Sequence, residues 1–330
     1  MPRFRTPPAG VTAAFALLLF PAFVAADEPA AHDKPAPESL DDLLAIQARV
    51  EAVTDQTAAA TVSLDLGFFG GSGSGVVIGD EGYILTAAHV IGDPGNVIQV
   101  RFPDGTVQTA ETLGSDQTSD AGLAKLQGDG PWPSVEMADP GSVEPGDWVV
   151  SLGHPGGYDP DRNVVVRLGR ILRIRQLIIQ SDCSLIGGDS GGPLFNLDGQ
   201  VIGIHSRIGT SERLNMHIPI AVYHEVWDQL IDSERWGRPI ESGAFLGFYF
   251  APDPQGRGVV VDRVMRRSAA AKAGIKRRDI ITRIADQPVR DEDGLREIMA
   301  LEQPGEQVTV TVIRGGKELQ LDVTPGKDPR

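Results

Sequence analysis

Ser190 stands in the string GGDSGGPL, Gly187–Leu194, and this is the segment of the 330-residue chain that most directly names a chemistry. A hydroxyl nucleophile has to project from a tight turn whose backbone N–H groups can receive a developing oxyanion. The N–H groups of Gly188 and Ser190 are the candidates, and glycines on both sides allow the turn and a close approach of substrate. Such a hydroxyl needs a base, and TAAHV, Thr86–Val90, supplies His89 at the end of an apolar run from Tyr83. A third group must orient the imidazole and stabilise its charged form. Asp116 and Asp120 in GSDQTSDAGLAKL both qualify. Asp120 is preferred because it opens the apolar run Ala121–Leu126, whereas Asp116 reads as a turn acceptor. The chain order His, Asp, Ser is that of chymotrypsin and differs from the orders of subtilisin and the α/β-hydrolases.

The elements around these residues read as short strands. TVSLDL, SGVVI, YILTAAHV, VIQVRF, WVVSLG, NVVVRLG, QVIGIHS and MHIPI recur between turns up to about Ile220, the pattern of a β-barrel or sandwich. The 39 glycines and 24 prolines fit that many turns. A helix is predicted before them, with Ser39 as N-cap and an apolar face of Leu40, Leu43, Leu44, Ile46, Val50 and Val53. A second helix covers Val222–Asp232, and a connector covers Arg235–Ser242. From Gly243 a separate α+β unit mixes strands (GVVVDRV, DIITRI, QVTVTVI, ELQLDV) with helical patterns at Ser268–Ala273 and Asp291–Leu301.

Together SGSGVVI, TAAHV, SDAGLAKL and GGDSGGPLFNLDGQVIGI, followed by the α+β unit, resemble the HtrA (DegP-like) serine proteases over about residues 55–325. The resemblance implies a mainly β fold. Two six-stranded barrels of the chymotrypsin type, with the triad between them, would be followed by a small α+β PDZ-like domain. It also implies endopeptidase activity on unfolded or damaged proteins, and trimers through the N-terminal segment. Asp189 stands where the family typically has asparagine, His205 takes another asparagine position, and the connection from Gly157 to Gly169 is unusual. By the same resemblance the primary pocket has Ser184 at its floor and Ile204, His205 and Ser206 along its wall. With no acid at the floor, a basic side chain would lack a partner. Phe245-Leu246-Gly247-Phe248 resembles the PDZ carboxylate loop, whose N–H groups bind polypeptide C-termini. Of Leu295 and Met299, one is expected to face the groove and the other the core.

The expected layout is a signal peptide at 1–26, linker and helix at 27–57, protease domain at 58–232, linker at 233–242 and PDZ-like domain at 243–327. Arg3 and Arg5 precede an apolar stretch, and Val24-Ala25-Ala26 offers a cleavage site, so the chain is expected to be periplasmic or secreted; an uncleaved membrane anchor is the alternative. The net charge is −15, and it becomes −17 once Arg3 and Arg5 are removed, which disfavours nucleic acid as a partner. No phosphate loop or metal-ligand cluster is apparent, so no cofactor and no metal are expected. The single cysteine, Cys183, excludes an intramolecular disulfide and reads as an inert buried thiol. A weakly active chaperone or scaffold on the same fold is the alternative to an enzyme.

Overall fold

The computed structural model describes residues 30–32, 34, 36–67, 71–208, 215–238, 244–285 and 287–327. The expected targeting segment at 1–26 lies outside them, as does most of the second half of the 233–242 linker. Helix α1 (Leu40–Thr57) starts where Ser39 Oγ accepts the Asp42 N–H at 3.1 Å. Its face is not continuous, however. Ile46 and Val53 are buried, Val53 as part of the barrel core, but among the described residues Leu40, Leu43 and Leu44 remain more than half exposed.

The first barrel uses β1 (Thr61–Asp65), β2 (Ser72–Ile78), β3 (Tyr83–Ala87), β4 (Val97–Arg101), β5 (Val107–Asp116) and β6 (Ala121–Leu126). They pair in the order β5-β4-β1-β2-β3-β6, and β5–β6 pairing closes the ring. Closure removes the unpaired edges that an open sheet would expose. One turn of helix, α2 (Ala88–Ile91), follows β3 and carries His89.

The second closed barrel uses β7 (Trp148–Gly153), β8 (Val165–Arg175), β9 (Ile178–Ser181), β10 (Pro193–Phe195), β11 (Val201–Ile208) and β12 (Asn215–Pro219), in the order β10-β11-β12-β9-β8-β7. Leu64, Ile84, Leu85 and Leu123 from the first barrel, and Leu152, Ile171, Leu194 and Ile204 from the second, belong to one continuous buried core. Helix α3 (Ile220–Ile231) packs on β5 and β6. The expected connector after it contains a short strand, β13 (Arg235–Trp236), which pairs in parallel with Ser115 and Asp116 of β5.

The C-terminal unit contains β14 (Phe248–Pro252), β15 (Val259–Val264), α4 (Ala269–Lys272), β16 (Ile280–Ile284), β17 (Gln287–Pro288), α5 (Glu292–Leu301), β18 (Val308–Arg314) and β19 (Lys317–Val323). Its core is separate from that of the barrels, and β14 forms one edge of the sheet β14-β15-β16-β18-β19. Leu295 and Met299 are both buried in that core; neither is divided off to the open side of α5. Arg173 of β8 pairs with Glu302, after α5, at 2.7 Å.

Candidate active site

The first barrel supplies an imidazole held from below. His89 Nδ1 lies 3.0 and 2.9 Å from the two carboxylate oxygens of Asp120, and the His89 backbone N–H also donates to Asp120 Oδ1 at 3.0 Å. Asp120 has φ +69°, a left-handed conformation that aspartate tolerates better than most residues. Its position is fixed further by its own carbonyl, which accepts Ala88 N–H at 2.6 Å. Ser206 Oγ donates to Asp120 Oδ2 at 2.5 Å. Burial alone would raise the Asp120 carboxyl, but the hydrogen bonds from His89 and Ser206 outweigh it and hold the group below the usual carboxylate range. With its Nδ1–H committed to the carboxylate, His89 keeps Nε2 as the free lone pair. Asp116 is spent locally, accepting from Thr118 N–H and from Ser119 Oγ.

The second barrel supplies the serine turn, and backbone hydrogen bonds lock it against β2 and β11. Ser74 N–H donates to Ser190 O at 2.8 Å, and Gly191 N–H donates to His205 O at 2.7 Å. Gly191 has φ +85°, and a Cβ there would fall 2.1 Å from Thr86 Oγ1, so only glycine lets the turn lie this close to the strand leading to His89. Ser74 Oγ donates to Gly188 O at 2.8 Å while accepting His154 N–H at 2.9 Å.

The direction of two amides follows. Gly187 O accepts Gly156 N–H at 2.8 Å and Asp189 O accepts Gly192 N–H at 2.9 Å. In a trans peptide the next N–H points the opposite way, so the N–H groups of Gly188 and Ser190 face away from those partners. Among the described residues neither donates to a protein acceptor. Nor does a hydrogen bond join His89 to Ser190 in this state, as is common in unliganded sites of this chemistry.

The side chains along the expected pocket wall do not all face the same way. Ile204 and His205 are wholly buried in the second barrel. The side chain of His205 points inward to Ser151 and His217. Side chains alternate along a strand, so Ser206 takes the other face and reaches Asp120. Ser184 is exposed on the loop before the serine turn. Cys183 beside it is buried, and burial pushes its thiol up to about 12. Residues not singled out from sequence are Ser74, Arg167 and Tyr223. Arg167 pairs with Asp189, and Tyr223 donates from its hydroxyl to Thr86 O at 2.6 Å, bracing β3 beneath His89. Each acts across more than 20 residues of chain, so local pattern gave no signal for them. His154 opens the turn to Gly157, whose N–H its carbonyl accepts at 2.9 Å, and its buried ring donates from Nε2 to Thr61 O. Among the described residues no cluster of His, Cys, Asp and Glu could hold a metal ion.

In the C-terminal unit the four loop residues do not act alike. Phe245 N–H is taken by Gly326 O at 2.8 Å, which removes it from the set of free donors. The N–H groups of Leu246 and Gly247 have no protein acceptor among the described residues, and both lie just before the edge strand β14. The side chains of Leu246 and Phe248 are buried in the core of this unit. Gly247 has φ +83°, with Ser268 packed so close that a Cβ would fall 2.3 Å from its Cβ.

These features agree with the comparisons. Residues 73–204 match the trypsin-like peptidase domain model and residues 244–324 match the PDZ domain model. A probable periplasmic serine endoprotease, DegP-like, from Marinomonas sp. (strain MWYL1) is 35% identical over 267 residues, 76% of this chain and 56% of the relative. The periplasmic pH-dependent serine endoprotease DegQ of Escherichia coli (strain K12) is 35% identical over 272 residues, 78% of this chain and 59% of the relative. The chain therefore matches less than two thirds of the length of these curated relatives. The crystal structure of the serine endoprotease from Yersinia pestis superposes with a TM-score of 0.50 at 27% identity, covering 84% of this chain and 98% of that one. In domain content, sequence and fold, the chain belongs to the HtrA (DegP-like) family of serine proteases, a trypsin-like domain followed by one PDZ domain.

Proposed function

We propose that the chain is a serine endopeptidase that cuts unfolded or damaged polypeptides, with Ser190 as nucleophile, His89 as general base and Asp120 as the group that orients and stabilises the imidazolium. The observation that carries this reading is the bonding of His89 Nδ1 to a buried carboxylate, next to a serine turn with two undonated N–H groups. In the reaction Ser190 Oγ attacks the scissile carbonyl and its proton passes to His89 Nε2. Gly188 and Ser190 N–H receive the oxyanion, and His89 then protonates the leaving amine. Water releases the acyl group by the same route. The neutral hydroxyl of Ser184 at the pocket floor favours uncharged side chains over lysine and arginine.

The PDZ domain would take polypeptide C-termini at the Leu246 and Gly247 N–H groups, with the peptide adding a strand along β14. Both relatives are named as periplasmic proteases, which supports the same location here. The exposed Leu40, Leu43 and Leu44 support assembly through the N-terminal helix. The proposed domain limits are 58–232 and 243–327, and the matched segments 73–204 and 244–324 fall inside them. A second reading, a polypeptide-binding chaperone with little turnover, draws on the missing hydrogen bond between His89 and Ser190. A fluorophosphonate probe and casein hydrolysis separate the two. The enzyme labels at Ser190 and cuts casein, and Ser190→Ala abolishes both at an unchanged melting temperature. A folded wild-type chain that neither labels nor cuts overturns the enzyme reading.

A further inference from the structure

Asp189, the residue before Ser190, is a carboxylate with no solvent exposure, and the reaction as described gives it no task. Arg167 on β8 approaches it with two guanidinium nitrogens, Nη2 to Oδ2 at 2.9 Å and Nη1 to Oδ1 at 3.3 Å. Oδ2 also accepts the Ile186 N–H at 2.9 Å. The main chain of the same residue is pinned at both ends, its N–H donating to Ile186 O at 3.1 Å and its carbonyl accepting Gly192 N–H at 2.9 Å.

We propose that Arg167 is a positioning residue for the nucleophile turn. By neutralising Asp189 within the protein, it keeps the Gly188 and Ser190 N–H groups turned toward the substrate carbonyl. This rests on the reading of Ser190 as nucleophile. An ionised carboxylate stays buried only if a cation and hydrogen-bond donors replace its water. Without Arg167 the side chain would leave for solvent, and Asp189 lies between the two amides in sequence, so it could not swing out without rotating the peptide planes that aim them. Arg167 is suited to hold it because it stands on a barrel strand, opposite Ser151 in the β7–β8 ladder, and not on a loop. A planar two-pronged donor also fixes the orientation of a carboxylate in a way that a point charge does not.

The test compares wild type, Arg167→Met, Arg167→Lys and Arg167→Met/Asp189→Asn for melting temperature, fluorophosphonate labelling rate, kcat and KM. Arg167→Met should lower kcat and the labelling rate by about 10²-fold, the scale of losing one oxyanion donor, with KM changed by less than about threefold. The double variant should recover most of that loss, because a neutral amide needs no counter-charge and still accepts the Ile186 N–H. Arg167→Lys should fall between. Wild-type kcat in Arg167→Met, or a folded double variant no better than the single, overturns the proposal. If Arg167→Met does not fold, Arg167→Lys decides: a several-fold lower kcat at an unchanged melting temperature supports it and an unchanged kcat overturns it. Failure of wild type itself to label defeats the nucleophile reading instead.

Discussion

His205 Nδ1 lies 2.9 Å from His217 Nδ1 in the sealed interior of the second barrel. Leu152 O, which can only accept, sits 3.1 Å from His205 Nε2, so that nitrogen carries the hydrogen. His205 Nδ1 is then the acceptor and His217 Nδ1–H the donor, while His217 Nε2 accepts from Ser181 Oγ at 2.7 Å. Both rings are neutral, and the chain of bonds leaves no place for an added proton between them.

Burial lowers the basicity of both rings, His217 to about 3 and His205 well below its ordinary value, with the neighbouring imidazole acting against a charge on His205 as well. In the unfolded chain each would titrate near about 6.5. Below that pH the unfolded state binds protons that the native state refuses, so stability is full above about 6.5 and declines as pH falls towards the folded values. Between pH 7 and 5 the expected loss from His217 is about 2 kcal/mol, and His205 adds to it in the same direction. Urea unfolding midpoints at the two pH values measure it, and His205→Leu/His217→Leu should flatten the dependence. An equal slope in the double variant would remove the pair as its cause.

Ser206→Ala takes one of the two side-chain donors from Asp120 and leaves His89 in place. A hydrogen bond to a charged group contributes about 1.5–3 kcal/mol, and part of that is regained from the remaining donors. Steady-state kinetics should show kcat about tenfold lower, since each 1.4 kcal/mol is a factor of ten, with KM little changed. A rate indistinguishable from wild type would show that Ser206 contributes only packing.

Cys183 should not react with a disulfide reagent in the native protein at pH 8. Its thiol is buried and pushed up to about 12, and only the thiolate is nucleophilic. The absorbance of released thionitrobenzoate should rise only when urea unfolds the chain. Fast labelling of the folded protein would place this thiol elsewhere.

Peptide binding at β14 should depend on a free terminal carboxylate. In the Ser190→Ala chain, fluorescence anisotropy should give a micromolar Kd, about −8 kcal/mol, for a peptide with an apolar last residue. Amidation of that peptide should weaken binding tenfold or more, because charge-assisted bonds to Leu246 and Gly247 N–H are lost. Equal binding of both forms would mean that these amides serve the fold alone.

Local signals were readable where one short segment decides the outcome. Ser39 as the cap of α1 and the glycines of the serine turn are of this kind, since each answers to its own neighbours. Pairings across the fold were not. Ser206 to Asp120 and Arg167 to Asp189 join residues 86 and 22 positions apart, and no periodicity encodes a partner at that range. The inward turn of His205 was available from strand alternation in QVIGIHS, had Ser206 been taken as the residue facing the site. β13 escaped because two residues cannot show a period, and only its parallel partner in β5 makes Arg235–Trp236 a strand.

His89 and Asp120 come from the first closed ring of strands and Ser190 from the second. During folding the first ring can close with its imidazole and carboxylate already joined, before the ring that carries Ser190 has formed. A chain arrested with only one ring formed holds either the base or the serine turn, never both. On the proposed assignment, closure of the second ring by β12 is thus the step that brings nucleophile and base together. A half-folded copy would then carry no assembled triad.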